Sequence, residues 1–284
     1  MFLAFLFFIL TTHKSNIICS KYGDFVFDKL LNFSSDCYER RLKGVIYPLE
    51  KFLGPRYNVV KNKKSLKCPS NSPIIILTGQ SNAANFLRNY KEFSNYHFNY
   101  FDGNCYELSS PTLGAEGEMS SLAPAIAKKI ISKDKFIFIT SGRGGIPIQD
   151  ASIIGDDFIK YNIDALNFLR TNKNFLKYFI WIHGEANNGD SSDYMTKFER
   201  MFKHITKTNQ NVPFLIITET SVCNNSRDKN LNTIQKKISK KFTNLSTIIQ
   251  TDDLLTEYRY DNCHFNEMGI DKISDRISKL INDL

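Results

Sequence analysis

Three side chains with complementary chemistry come from two distant parts of the sequence. Ser81 follows the apolar run P-I-I-I-L-T at residues 73–78, while Asp261 and His264 lie close together near the C-terminus. A serine hydroxyl is a weak nucleophile at neutral pH, so it needs an imidazole to accept its proton and a carboxylate to orient that imidazole. The three residues therefore predict nucleophilic acyl transfer, provided that the fold brings them together.

Each of these residues also has a common structural explanation. A serine after a strand often caps the following helix, Asp261 could cap a turn, and His264 could be a surface histidine. The neighbours of Ser81 are the polar residues Gln80 and Asn82, which we expect to support the hydroxyl. This context, together with the pairing of a carboxylate and an imidazole, favours catalysis over capping.

Two further segments carry groups that could stabilise a developing oxyanion. They are S-G-R-G-G-I-P-I at residues 141–148 and W-I-H-G-E-A-N at residues 181–187. Backbone N–H groups can serve as oxyanion donors, and the loss of one donor typically costs about 100- to 1000-fold in rate. We expect the N–H groups of Ser81 and Gly145 to fill this role, supported by Gly144. Either glycine could instead serve only a turn with positive φ.

The chain from residue 71 onwards alternates short apolar runs with amphipathic segments, a pattern typical of an α/β fold with a parallel sheet. Strands are predicted at residues 74–78, 136–140, 178–183, 213–218 and 247–251. Helices are predicted at residues 121–132, 156–170, 192–206, 230–242 and 266–281. Ligands of such sheets bind beyond the carboxyl ends of the strands, where the segments described above lie.

The N-terminal part of the sequence predicts export. Residues 1–10 read M-F-L-A-F-L-F-F-I-L, which is too short for a membrane span of about 20 residues but suits the apolar region of a signal peptide. We therefore divide the chain into a signal peptide at 1–19, an extension or cap at 20–70 and a catalytic domain at 71–284. The protein is expected to be secreted and not inserted in a membrane after cleavage. An uncleaved anchor and a buried first strand are the alternatives.

The charge and the cysteine content indicate which classes of binding partner and cofactor to expect. Lys and Arg number 37 against 29 Asp and Glu, but the lysines are scattered, which favours a solvated surface over nucleic-acid binding. Weak attraction to acidic glycans or membrane surfaces is the alternative. Six cysteines without a C-x-x-C pair argue against a metal site, and no cofactor is expected. In an oxidising compartment, Cys37 could pair with Cys68, and Cys223 with Cys263.

Four blocks in the same order carry a family resemblance: G-Q-S-N, G-G followed by I, W-x-x-G-E, and D-x-x-H-F. Over residues 72–284 the chain resembles the SGNH-hydrolase superfamily, specifically the sialate O-acetylesterase-like carbohydrate esterases. The resemblance implies a three-layer flavodoxin-like fold, with about five parallel strands and helices on both faces of the sheet. It also implies metal-free removal of O-acetyl groups from sialic acid or other sugars by Ser81, Asp261 and His264.

The third block departs from the family pattern W-x-Q-G-E-x-D. His183 replaces the glutamine whose side chain is an oxyanion donor in the family, and Asn187 replaces the aspartate. We expect the imidazole N–H of His183 to take over as the third donor, although His183 could instead point into the core and bond Glu185. Glu185 is expected to be a structural hydrogen-bond acceptor and not a second base.

Two other functions are compatible with the same blocks. They are a non-catalytic glycan-binding protein and a carbohydrate O-acetyltransferase, which would share the acyl-enzyme intermediate with an esterase. The sequence identifies neither the acetylated sugar nor the oligomeric state.

Overall fold

A computed structural model describes residues 63–88, 93–209, 211–242 and 245–284. The predicted signal peptide at 1–19 and the predicted extension as far as residue 62 lie outside these ranges. Residues 63–70, at the end of that extension, are described together with the domain predicted at 71–284.

One sheet in the described part of the chain contains eight strands. In chain order they are β1 (Ser65–Leu66), β2 (Pro73–Gly79), β3 (Phe93–Phe101), β4 (Asn104–Ser109), β5 (Ile137–Thr140), β6 (Phe175–Ile182), β7 (Phe214–Glu219) and β8 (Ser246–Gln250). Their order across the sheet is β1-β4-β3-β5-β2-β6-β7-β8. Strand β2, which leads to Ser81, therefore lies between β5 and β6, the strands that lead to the two glycine-containing blocks.

The α/β class and the parallel core of the sheet agree with prediction, but the strand number does not. The predicted strands are β2, β5, β6, β7 and β8, and each pairs in parallel with its neighbour. Strand β3 adds to this parallel set beside β5, whereas β4 is antiparallel to β3 and β1 is antiparallel to β4. The prediction of about five strands, all parallel, is therefore wrong at one edge of the sheet.

A hairpin signal at that edge was present in the sequence. Asp102 and Gly103 form the turn between β3 and β4 with φ of 45° and 82°. Two positive φ values are the requirement of a tight hairpin turn, which Asp-Gly meets well. Polar residues inside β3, such as the buried His97 and Asn99, interrupt the apolar pattern and explain why the strand was missed.

Six α-helices cover the sheet in the described ranges. They are α1 (Leu122–Lys129), α2 (Ile148–Ala151), α3 (Asp157–Arg170), α4 (Tyr194–Thr206), α5 (Lys229–Lys241) and α6 (Glu267–Asp283). Asp156, Asp228 and Asn266 cap α3, α5 and α6 with their side chains, and five of the six helices lie where the sequence predicts them. The short helix α2 was not predicted. None of the described helices has the length and apolar character needed to cross a bilayer.

The helices form layers on both faces of the sheet. Along β2, Ile74 and Ile76 pack in a buried cluster with residues of α3, α4 and α5. Ile75 and Leu77 point the other way, into a second cluster with residues of α1 and α6. Successive strand residues face opposite sides of a sheet, so a continuous apolar run such as I-I-I-L is the pattern expected when both faces are covered.

Two disulfides in the described part of the chain tie loops to this framework. Cys223 is bonded to Cys263, which confirms that predicted pair. Cys68 is bonded to Cys105 in β4, so the predicted pair with Cys37 is wrong. The reason lies in the missed strands, because Leu66 in β1 pairs with Cys105 and brings Cys68 beside it. Residue 37 lies outside the described ranges.

Gly79 at the end of β2 should tolerate no side chain. A Cβ at this position would lie 2.0 Å from the carbonyl oxygen of Ile182, and its φ is +138°. We predict that Gly79→Ala lowers the free energy of unfolding by roughly 3 kcal/mol or more, measured by urea denaturation. Gly155→Ala is the matched control, because Gly155 has a φ of +95° but open space around it, and it should lose only about 1–2 kcal/mol. Equal losses would show that the close contact is unimportant.

Candidate active site

Ser81 lies at the carboxyl end of β2, in a single 3-10 turn, Ser81–Ala83. The preceding residue holds this turn against the third block. The Oε1 atom of Gln80 accepts hydrogen bonds from the N–H groups of Gly184 (3.2 Å) and Ala186 (3.0 Å). Gln80 therefore links the Ser81 turn to the third block.

His264 and Asp261 form a hydrogen-bonded pair at the start of α6. The Nδ1 atom of His264 lies 2.6 Å from Oδ2 of Asp261, and Oδ1 of the same carboxylate accepts the backbone N–H groups of His264 (2.7 Å) and Cys263 (3.1 Å). Burial alone would raise the pKa of Asp261, but these hydrogen bonds outweigh it and hold the pKa below its usual value. The ionised carboxylate favours the tautomer with the proton on Nδ1, which leaves Nε2 as a base.

Asn82 joins the Ser81 turn to the segment that carries His264. Its Nδ2 group donates to the carbonyl oxygen of Cys263 (3.2 Å), and its Oδ1 accepts from the N–H of Phe265 (3.3 Å). The residue after Ser81 therefore bonds both neighbours of His264. The Ser81 hydroxyl itself makes no hydrogen bond to His264 or to any other described residue. Catalytic hydrogen bonds are often long or poorly aligned without substrate and tighten when substrate binds.

A buried arginine stiffens the segment around His264. Arg259 is 4% exposed, and its guanidinium lies 4.2 Å from the centre of the Phe265 ring. It donates hydrogen bonds to the carbonyl oxygens of Leu254, Val222, Thr251 and Cys263. Burial lowers its pKa, and the nearby carboxylates of Glu185 and Asp252 oppose this shift. Together with the disulfide at Cys263, these bonds hold the segment in place.

Glu185 is a structural acceptor at the centre of these contacts. It is buried, and its Oε1 accepts hydrogen bonds from Nδ2 of Asn82 (2.7 Å) and from the hydroxyl of Thr220 (2.6 Å). These contacts fix the side chain of Asn82.

His183 does not face the site, and the prediction that it is the third oxyanion donor is wrong. Its Nε2 lies 2.8 Å from the carbonyl oxygen of Ile146, and its Nδ1 lies 3.0 Å from the hydroxyl of Tyr194. Since a carbonyl only accepts, Nε2 carries the proton and donates to Ile146. The single proton of the Tyr194 hydroxyl is shared between two acceptors, Nδ1 and the backbone carbonyl oxygen of His183, which lies 2.7 Å from the hydroxyl. Both ring nitrogens are thus occupied inside the core, and neither bonds Glu185, which was the other expectation.

The glycine-rich loop after β5 runs beside the Ser81 turn. The N–H of Arg143 donates to the carbonyl oxygen of Gly79 over 3.1 Å, and Gly145 has a φ of +58°, so the positive φ falls at this glycine. The N–H of Gly144 donates to Oε2 of Glu116 over 2.6 Å. The N–H groups of Ser81 and Gly145 have no acceptor among the described residues, as oxyanion donors require.

The sequence analysis overlooked Glu116. It lies in the segment between β4 and α1, where no motif marks it, and its hydrogen bonds with Gly144, Gly142 and Asn85 show its connection to the site. The glycine that follows it, Gly117, could have drawn attention to this segment as a tight turn. Gly117 has a φ of +93°, and a Cβ there would lie 2.5 Å from the carbonyl oxygen of Asn85.

Solved structures share this fold at low sequence identity. A protein from Arabidopsis thaliana matches with a TM-score of 0.60 and 14% identity, over 75% of this chain and 98% of that one. NanS matches with a TM-score of 0.55 and 12% identity, over 76% and 98%. An acetylxylan esterase from Geobacillus stearothermophilus has a TM-score of 0.44 and 10% identity, over 76% and 96%. No family model and no curated protein sequence matches the chain. The likeness to the Arabidopsis thaliana protein and to NanS establishes a shared α/β fold with one sheet flanked by helices.

Aromatic side chains surround His264 at the rim of the site. The rings of Phe86 and Tyr260 stack with its imidazole at centroid distances of 6.0 and 5.8 Å. The guanidinium of Arg88 lies 5.5 Å from the Tyr260 ring centre. In the described ranges no cluster of His, Cys, Asp or Glu could hold a metal ion.

The buried imidazole of His183 should make stability depend on pH. Burial lowers the pKa of His183 to about 4, from the usual histidine value of 6.5. Between these values the unfolded chain binds a proton that the folded protein does not, so stability falls as the pH is lowered. We expect His183 to contribute a loss of about 2 kcal/mol between pH 7.5 and 5, measured by urea denaturation.

His183→Gln should remove this contribution, so the free energy of unfolding should change less with pH than in the wild type. Some pH dependence should remain, because burial also lowers the pKa of His97 to about 4. His204→Gln on α4, at a half-exposed position, is the control and should keep the wild-type slope. A His183→Gln curve parallel to that of the wild type would show that His183 does not account for the loss.

Proposed function

We propose that this chain is a serine esterase that removes O-acetyl groups from carbohydrates through an acetyl-Ser81 intermediate. The observation that supports the proposal most strongly is that the Asn82 side chain donates a hydrogen bond to Cys263 and accepts one from Phe265, the two neighbours of His264. Through them, the imidazole paired with Asp261 belongs to the same local structure as the hydroxyl of Ser81.

In the first step, Nε2 of His264 accepts the Ser81 proton while Oγ attacks the acetyl carbon. The carbonyl oxygen becomes an oxyanion, which the N–H groups of Ser81 and Gly145 stabilise. The tetrahedral intermediate then collapses, and the sugar oxygen leaves with the proton from His264. The ionised carboxylate of Asp261 stabilises the imidazolium during this step.

In the second step, water replaces the sugar. His264 accepts a proton from the water molecule as its oxygen attacks the acetyl-Ser81 carbonyl, and the same donors stabilise the oxyanion. Acetate departs when Oγ takes the proton back from His264. An acceptor sugar in place of water would give acetyl transfer instead of hydrolysis, so product analysis belongs in the test.

The choice of a carbohydrate substrate rests on two features. The half-buried rings of Phe86 and Tyr260 beside His264 are suited to contact the apolar face of a sugar. The blocks G-Q-S-N, W-x-x-G-E and D-x-x-H-F resemble those of sialate O-acetylesterase-like enzymes. The same blocks support assigning the fold to the flavodoxin-like SGNH hydrolases, with Ser81, His264 and Asp261 as the catalytic triad.

We also propose that the enzyme works outside the cytoplasm. Two disulfides, Cys68–Cys105 and Cys223–Cys263, fit an oxidising compartment. The apolar start of the sequence supports the same proposal.

The nucleophile is tested by Ser81→Ala. We predict a fall of at least about 1000-fold in kcat for p-nitrophenyl acetate, with an unchanged far-UV circular dichroism spectrum, because no other described group can form the acyl intermediate at this position. A fluorophosphonate should label the wild type at Ser81, located by peptide mass spectrometry. Ser192→Ala, on the exposed surface, is the control. Full turnover by Ser81→Ala would rule out the proposal, and an unlabelled, inactive wild type would favour a glycan-binding protein.

The carboxylate is tested by Asp261→Asn. An amide at this position cannot stabilise the imidazolium and can hold the wrong tautomer, so kcat should fall by about 100- to 10,000-fold. KM for the same ester should change little. Asp283→Asn at the exposed end of α6 should behave as wild type. Similar kcat values for the two variants would remove Asp261 from the mechanism.

A further inference from the structure

We propose that Glu116 and His183 are positioning residues that fix the loop of residues 144–148 so that the N–H of Gly145 faces the acyl oxygen. This proposal rests on the proposed esterase function. It concerns two residues that act through the loop and have no contact with the reacting atoms.

Glu116 connects the glycine-rich loop to the segment after Ser81 by three hydrogen bonds. Its Oε2 accepts from the N–H of Gly144 (2.6 Å), and its own N–H donates to the carbonyl oxygen of Gly142 (2.9 Å). Its carbonyl oxygen accepts from the N–H of Asn85 over 2.8 Å. One residue therefore fixes the start of the loop relative to the nucleophile turn.

His183 holds the loop two residues further on. Its Nε2–H donates to the carbonyl oxygen of Ile146 over 2.8 Å. The imidazole is itself held by Tyr194 at Nδ1 and stacks on Trp181, with centroids 4.8 Å apart and an interplanar angle of 13°. A fully buried ring with contacts on its face and at both nitrogens has little freedom to rotate.

Asn187 fixes the end of the same loop. Its Oδ1 accepts a hydrogen bond from the N–H of Ile148 over 2.7 Å. Residues 144, 146 and 148 are thus each tied to the body of the protein. The N–H groups of Gly145 and Ile146 have no acceptor among the described residues, and Gly145 is the exposed one of the two. His183 and Asn187 are also the two positions at which the third block departs from its family pattern.

This arrangement explains how an imidazole that cannot reach the oxyanion can still support the reaction. Oxyanion donors act only when they are held near the position of the developing charge, and a glycine with positive φ has many alternative conformations. Fixing its neighbours on both sides removes these alternatives before substrate arrives. Loss of one contact should therefore lower kcat more than it raises KM.

Glu116→Ala is the main test, because Glu116 is only partly buried and its removal leaves the core intact. We expect kcat for p-nitrophenyl acetate to fall about 10- to 100-fold, with KM within about twofold. The rate of fluorophosphonate labelling of Ser81 should fall in parallel. Amide hydrogen exchange in a peptide covering residues 142–148 should become faster. Glu116→Gln keeps a hydrogen-bond acceptor and should restore most of these losses.

Glu118→Ala is the matched control, since it removes an exposed carboxylate two residues away. Labelling, kcat and loop exchange in this variant should equal those of the wild type. His183→Leu should lower kcat more than His183→Gln, whose amide can still donate to Ile146. If His183→Leu does not fold, Glu116→Ala still decides the proposal.

Failure of this proposal can be distinguished from failure of the esterase function. A wild-type protein that is labelled at Ser81, together with Glu116→Ala labelled as fast as Glu118→Ala, would overturn the positioning role alone. A wild-type protein that neither hydrolyses the ester nor is labelled at Ser81 would overturn the esterase function, and the positioning role with it.

Discussion

The site depends on the hydrogen bonds made by one buried amide, the side chain of Asn82. This group contacts Glu185, the carbonyl of Cys263 and the N–H of Phe265, and the last two lie 181 and 183 residues away in the sequence. Two further hydrogen bonds join the chain just after the Ser81 turn to the segment that carries His264: the N–H of Arg88 donates to the carbonyl oxygen of Phe265, and the hydroxyl of Tyr260 donates to the carbonyl oxygen of Phe86. A buried polar network of this kind is costly to break, because each lost partner leaves an unsatisfied group.

The order of the parallel strands places the glycine-rich loop and the third block beside the turn that carries Ser81. Strand β2 lies between β5 and β6, so the turn after β2 has the glycine-rich loop on one side and the third block on the other. Gln80 bonds the third block, and the loop contacts the end of β2 through Arg143. The segment before α6 then closes the site over these three turns, held by Arg259 and by the disulfide between Cys223 and Cys263.

The sequence predicted best those features that depend on residues close together in the chain. The apolar run into Ser81, the spacing of Asp261 and His264 and the amphipathic helices can all be seen locally. The orientation of His183 could not be predicted, because its partners Ile146 and Tyr194 come from two other segments that only the fold brings together. The strand pair β3–β4 was missed for a different reason, since polar residues in β3 obscured the strand although Asp-Gly marked the turn.

The most direct test of the account is a crystal structure of the protein after a fluorophosphonate has reacted with Ser81. The phosphonyl oxygen in this adduct replaces the oxyanion of the tetrahedral intermediate. We predict that it lies about 2.7–3.1 Å from the N–H groups of both Ser81 and Gly145, with Nε2 of His264 on the side of the leaving group. A phosphonyl oxygen that points away from Gly145, or an imidazole of His264 that remains out of reach of the adduct, would contradict the account.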